Sequence, residues 1–300
     1  MDHSKFVCIT GSWSFLSISI AKMLLARGYS VRFTVPLTAD EASSLMDCEE
    51  KASGKLELGE ADLLDYGSVF HQINGCSGVF HVPAPCDLIG VQDYPSDSIE
   101  YEIRSALNVV EACATSESVK RLIFTSSVSA IVWRGQGGTG ENQVLDERCW
   151  TNPDFCRQNK LWSPLTKTLS EKAVWALSND RGLNLVVVNL ASVVDKEPSK
   201  HNAHNLVNQL KGSMALQQNG VCAYVEVEEA TLAHIAAFEY EDAKGRYICL
   251  ERMLTNDEIK EILWSSYKTS NDGLEEWIRP LNLSNQKFLK LKRQYSGELA

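Results

Sequence analysis

Positive charge is scarce in this chain. Its 29 Lys and Arg residues face 39 Asp and Glu, a formal net charge of −10, and no basic cluster runs against that average. Nucleic acid and anionic membrane surfaces are therefore excluded as partners. Long hydrophobic runs are missing too. The longest nearly apolar stretch, residues 183–194, is too short for a membrane span and is interrupted by Asn184, Asn189 and Ser192. The start, Met-Asp-His-Ser-Lys, runs straight into a strand-like segment and predicts no signal peptide. The nine cysteines are an odd number without zinc-ligand spacing. They read as reduced thiols of a cytosolic protein with no metal site; Cys149 and Cys156 are near enough in sequence to pair, although such a loop pair is more often just two thiols. Internal repeats and low-complexity segments are absent.

What is present is enough apolar residue, 44% of 300, to bury a sizeable core. Residues 6–10 are a short buried strand. A loop and a helical pattern follow, stopped at Gly28, and 31–35 form the next strand. The alternation continues with strands at 55–58, 78–82, 121–125 and 185–188 and helices at 66–73 and 98–114. Such alternation predicts α/β architecture: a doubly wound parallel sheet with helices on both faces. The glycine-rich segment 133–158 breaks it and reads as a surface loop. Beyond Asp195 the pattern loosens, with helices expected at 205–216 and at 257–265, the latter capped by Thr255 or Asn256.

The stretch 160–175 begins another helix. Ser163 is the expected N-cap and Pro164 the first helical residue, with Leu165, Leu169, Ala173 and Leu177 as the apolar stripe. Ser163 and Lys167, four apart, share one side of it. This stretch resembles the active-site helix of plant cinnamoyl-CoA reductase-like and dihydroflavonol reductase-like proteins, of the extended short-chain dehydrogenase/reductase family. Their pattern is close to K-x-W-Y-P-L-x-K-T-L-A-E-K-A-A-W. Further matches are Ala61-Asp62-Leu63, Gly78-Val-Phe-His81 with Pro85 (Pro83 replacing the family's Ala), Asn108, Asp146-Glu147 with Cys149-Trp150, Phe155-Cys-Arg157, Val225-Glu-Val227 with Ala233-His234, Gly245-Arg-Tyr-Ile-Cys249 and the closing Leu283-Ser-Asn-Gln-Lys-Phe-Leu. The resemblance covers nearly the whole chain. It implies a Rossmann-like dinucleotide-binding domain over 1–195, a smaller substrate-pocket region over 196–300, and NADP(H) as cofactor.

In the family a Tyr of Y-x-x-x-K donates the proton, with its pKa lowered by the Lys, which also holds the nicotinamide ribose. Lys167 matches the Lys, and Ser127 matches the catalytic Ser at a strand end. The Tyr position is Ser163. The cofactor would lie along Gly11, Ser14, Phe15 and Leu16, with Asp62 and Leu63 at the adenine and Lys167 at the ribose. The family's T-G-x-x-G-x-x-G is here Thr10-Gly11-Ser-Trp-Ser14-Phe-Leu-Ser17. A side chain at Ser14 intrudes where backbone approaches the diphosphate, and Trp13 adds bulk. Pro36 stands where an Arg binds the 2′-phosphate, and Arg32 is a partial substitute or a strand charge. Leu190 and Asp195 replace the family's Pro and Gly on the nicotinamide wall.

The leading expectation is a family homologue with little or no hydride transfer, serving through a retained small-molecule pocket or by association with a protein partner or a second copy. The alternative is an NADPH-dependent reductase of an aldehyde, ketone or CoA thioester, working through Ser127, Lys167 and a water. Under the leading expectation Lys167, without its Tyr partner, is a helix-surface charge.

Overall fold

A computed structural model describes residues 5–34, 54–84, 88, 91–134, 144–194, 223–253 and 282–298. Pro36, Pro85, Asp195, the glycines at 135–140 and the helices expected at 205–216 and 257–265 lie outside the described residues.

The first unit is strand β1 (Phe6–Gly11), helix α1 (Phe15–Ala26) and strand β2 (Ser30–Thr34). Strand β3 (Leu56–Gly59), α2 (Tyr66–Ile73), β4 (Gly78–Val82), α3 (Ser96–Thr115) and β5 (Arg121–Ser127) follow. Then come α4 (Ser129–Val132), β6 (Val144–Leu145), α5 (Pro153–Gln158), α6 (Trp162–Arg181), β7 (Leu185–Leu190) and β8 (Ser192–Val194). The remaining elements are β9 (Ala223–Glu226), α7 (Val227–Glu239), β10 (Gly245–Cys249), β11 (Arg252–Met253), β12 (Asn282–Leu283) and α8 (Gln286–Glu298).

Seven strands form one parallel sheet in the order β3-β2-β1-β4-β5-β7-β10. The expected doubly wound, Rossmann-like sheet is therefore present. Strand order reverses between β1 and β4, and crevices at such reversals, beyond the carboxyl ends of the strands, are where ligands bind. Side-chain alternation splits the core in two. Val7 and Ile9 of β1, Phe80 and Val82 of β4 and Ile123 of β5 face α1, α7 and α8. Cys8, Val79, Leu122 and Phe124 face α2, α3 and α6.

Segment 133–158 is not wholly a surface loop. Its described part contains β6, which pairs with β12, and α5, and it buries Trp133, Leu145 and Cys156. Asn152 caps α5 by accepting from the backbone N–H groups of Asp154 and Phe155. Apolar anchors among polar residues supplied the order that glycine content had concealed.

Helix α6 also departs from expectation. It starts at Trp162 with Leu161 as N-cap, so Ser163 lies inside the first turn and is not the cap. Pro164 still falls in that turn, where its missing N–H costs no helical bond. The fully buried face carries Thr168, Glu171, Val174 and Ser178, while Leu169, Ala173 and Leu177 are half-buried. Glu171 takes its core position because partners on β5, β7 and β10 meet it there, Thr168 bonds the Pro164 carbonyl of its own helix, and Ser178 Oγ has no partner among the described residues.

Candidate functional site

The turn after β1 keeps its first glycine for a steric reason. Gly11 has φ +120°, and a Cβ on it would lie 2.1 Å from the Val82 carbonyl oxygen at the end of β4. The Ser12 N–H donates to that oxygen at 2.8 Å. Further along, serines at both former glycine positions close a ring of hydrogen bonds. Ser14 is the N-cap of α1: its Oγ accepts from the Ser17 N–H at 3.2 Å, and its own N–H donates to Ser17 Oγ at 2.9 Å. Ser17 Oγ donates on to the Ser12 carbonyl at 2.8 Å. This is a capping box built from two serines. It consumes within the protein backbone donors of the kind that make a helix N-terminus an anion site. Trp13 turns inward, its ring edge-on to Phe33 of β2 at 5.5 Å, rather than crowding the turn. Phe15 is 79% exposed and Leu16 buried.

Arg32 is engaged within the protein. Its guanidinium makes two bonds to Glu57 Oε2, at 2.9 and 3.0 Å, donates to the Gln72 carbonyl at 2.7 Å and lies over the Phe6 ring. Asp62 is exposed and accepts from the Leu64 N–H at 2.9 Å. Asn108 donates to the Leu63 carbonyl at 2.8 Å, which ties α3 to the loop after β3.

The carboxyl ends of β1 and β4 open onto a cleft of about 440 Å³, whose lining includes Gly11, Leu63, His81, Ala84, Tyr101 and Glu102. Of the expected cofactor residues, Gly11 and Leu63 line it; Ser14, Phe15, Leu16 and Asp62 do not. Lys167 reaches its rim from α6. The ammonium donates to Glu102 Oε1 at 2.9 Å and to the Ala84 carbonyl at 3.1 Å, and the lysine and glutamate side chains are 15% and 10% exposed. Lys167 is thus a paired, largely buried cation and not a helix-surface charge. Ser163, one turn earlier on α6, is buried.

His81 lies one residue before the end of β4. It is buried, stacks on Phe124 with centroids 5.6 Å apart, and has no partner for Nδ1 among the described residues. Burial, helped by the nearby Lys167 ammonium, pushes its pKa down to about 3, so the imidazole is neutral. Glu102 was missed altogether. Its signal was a charged residue in the helical register of Ile99, Ala106, Val109 and Cys113, the buried face of α3.

Ser127 ends β5. Its Oγ accepts from the Ser129 N–H at 3.1 Å, and its carbonyl accepts from Asn189 Nδ2 at 3.3 Å. Asn189 also donates to Glu171 Oε2 at 2.8 Å, and Ser126 donates to the same oxygen at 2.6 Å. Arg246 of β10 donates to Glu171 Oε1 at 2.6 Å and to the carbonyls of Glu147 and Cys149, and it stacks over the Trp150 ring at 3.9 Å. The segments matching the family around 146–150 and 245–249 therefore meet at one buried ion pair. Leu190, at the end of β7, is buried. Cys149 and Cys156 are free thiols.

The chain matches the NAD dependent epimerase/dehydratase family over residues 7–243. Cinnamoyl-CoA reductase 1 of Petunia hybrida is 35% identical over 303 residues, covering 97% of this chain and 88% of that protein. The bifunctional dihydroflavonol 4-reductase/flavanone 4-reductase of Malus domestica is 30% identical over 314 residues, covering 99% and 88%. Vestitone reductase from alfalfa superposes with a TM-score of 0.71 at 29% identity, covering 95% of this chain and 91% of that one. The chain belongs to the extended short-chain dehydrogenase/reductase family, among its cinnamoyl-CoA reductase-like members. A yeast methylglyoxal/isovaleraldehyde reductase complexed with NADPH shares the fold at a TM-score of 0.71 and 19% identity, covering 96% and 93%.

Proposed function

We propose that this chain is a cinnamoyl-CoA reductase-like protein with little or no hydride-transfer activity, acting through its cleft on a small molecule or by association with a partner protein. The observation that carries this reading is the state of Lys167. Four residues before it stands a serine in place of a phenol, and its ammonium is engaged by Glu102.

A tyrosine titrates near 10, within reach of tuning by a neighbouring ammonium. A serine hydroxyl is far less acidic and sits several bonds closer to the backbone, so it cannot protonate the same alkoxide. Loss of a positioned general acid costs roughly 10²–10⁴ in rate. The residues present do not fit NADP(H) either. The Ser14–Ser17 ring occupies donors at the helix start, Arg32 is held by Glu57, and Lys167 is held by Glu102. No proton or hydride path is assigned to this site. A cytosolic setting accords with the six described cysteines, all of which are free.

NADPH titration by fluorescence, followed by NADPH oxidation assays with aromatic aldehydes and CoA thioesters, tests the reading. Absent or millimolar binding and flat oxidation traces are expected. Steady oxidation by the unmodified protein would overturn it in favour of a reductase working through Ser127, Lys167 and a water.

A further inference from the structure

A buried lysine is held by whichever partner is nearest and most negative. Lys167 has Glu102 at 2.9 Å and the Ala84 carbonyl at 3.1 Å. With little water around either side chain, this pair is screened far less than an ion pair on the surface. The carboxylate is fixed from below. Glu102 projects from the buried face of α3, between Ile99 and Ala106, and α3 packs along α6. Neither charge can swing away without exposing the other. His81, on the adjacent strand end, is neutral and offers Glu102 no competing cation.

Glu102 and Ala84 also line the 440 Å³ cleft, and the remaining described lining contributes Asp97 but no Lys or Arg. The carboxylate therefore acts twice. It satisfies the ammonium that would otherwise meet a ligand, and it places negative charge where a phosphorylated ligand would enter.

We propose that Glu102 is a lock on Lys167: its carboxylate stands in for a ligand at the ammonium, and the cleft in consequence disfavours NADP(H) independently of the serine at 163. This rests on the reading of the site as deficient in hydride transfer, and it adds a residue to the cause. It follows that Ser163→Tyr alone is an insufficient repair.

The experiment compares the full-length protein with E102Q, S163Y, E102Q/S163Y and E102Q/K167M, using NADPH titration by fluorescence and NADPH oxidation with an aromatic aldehyde. Freeing the ammonium should make E102Q bind NADPH about tenfold more tightly than the unmodified chain, the worth of one charge-assisted hydrogen bond. That gain should vanish in E102Q/K167M, because it acts through the lysine. The E102Q/S163Y protein should oxidise NADPH about tenfold faster than S163Y.

Affinity of E102Q within about twofold of the unmodified chain overturns the lock. So does a gain that survives Lys167→Met, or a S163Y protein as fast as the double variant. If E102Q fails to fold, Glu102→Asp keeps the charge and draws it back by one methylene. A measurable gain in affinity supports the lock, and none overturns it. Turnover by the unmodified chain would defeat the functional reading, whereas the affinity ranking of the Glu102 variants tests the lock by itself.

Discussion

Two ion pairs in this molecule are built alike and placed differently. In each, a glutamate on the buried face of a helix meets a cation from another element: Glu171 of α6 with Arg246 of β10, and Glu102 of α3 with Lys167 of α6. The first pair lies deep among β5, β7 and β10, at 0% and 6% exposure, and hydroxyl, amide and carbonyl groups complete its hydrogen bonding. The second stands at the carboxyl edge of the sheet, beside the cleft, with the Ala84 carbonyl as a further partner. The residues of the first match the family's motifs; the second sits where the family's chemistry would be and the motif departs. A saturated buried pair holds strands and helices together whatever the protein does. A pair at the ligand edge answers only to what binds there. The scaffold and the site of one fold can therefore diverge separately.

The largest effect should come from breaking the deep pair. Glu171→Ala leaves the Arg246 guanidinium without its buried counter-charge, and such changes cost about 3–5 kcal/mol. Chemical denaturation of that variant against Lys167→Met should show the deep pair as much the costlier to break. Equal losses would mean that the two regions are not mechanically distinct.

Acid should separate the regions next. His234, which bonds Thr125 and the Ala230 carbonyl, and His81 by the cleft are both held neutral, with pKa values pushed down by burial to about 4 and about 3. The unfolded chain takes up those protons near 6.5. Stability is therefore complete above that pH and falls as pH drops toward 4, by about 1.4 kcal/mol per pH unit for each histidine. Thermal midpoints at pH 7 and pH 5 measure the fall, and His81→Phe, which keeps the ring on Phe124, should reduce its slope by about half.

Ser163→Tyr inserts a phenol at a buried position and should cost about 1–3 kcal/mol if the space has closed. A thermal midpoint equal to or above that of the unmodified chain would instead reveal room still open beside Lys167. The smallest change is Ser14→Gly, a few tenths of a kcal/mol, because glycine is itself an acceptable N-cap. Its informative readout is NADPH affinity, which should rise as the Ser14–Ser17 ring opens; no rise would show that the turn is not what limits binding.

The fold was largely legible because strand and helix periods are written locally. The limits of α2 and β4 fell where composition put them, and Gly28 stopped α1 as expected. Long-range pairing was not legible. Of the α6 stripe that leucine spacing picked out, Leu165 is fully buried and the other three are half-buried, while Glu171 finds partners on β5, β7 and β10 that no local window contains. The 133–158 segment looked loose for the same reason: its glycines cluster within a few sequence positions, but its anchors Trp133, Leu145 and Cys156 are united only in space.

At the candidate site the sequence by itself identified the missing phenol, the serines of the first turn and the surviving Lys167, because each is a residue type at a fixed spacing. Only the tertiary structure decided what those residues do instead. Ser14 and Ser17 bond each other, Arg32 turns to Glu57, and Lys167 turns to Glu102, sixty-five positions away. A side chain's chemistry is intrinsic, but the partner that occupies it is set by which elements the fold packs together.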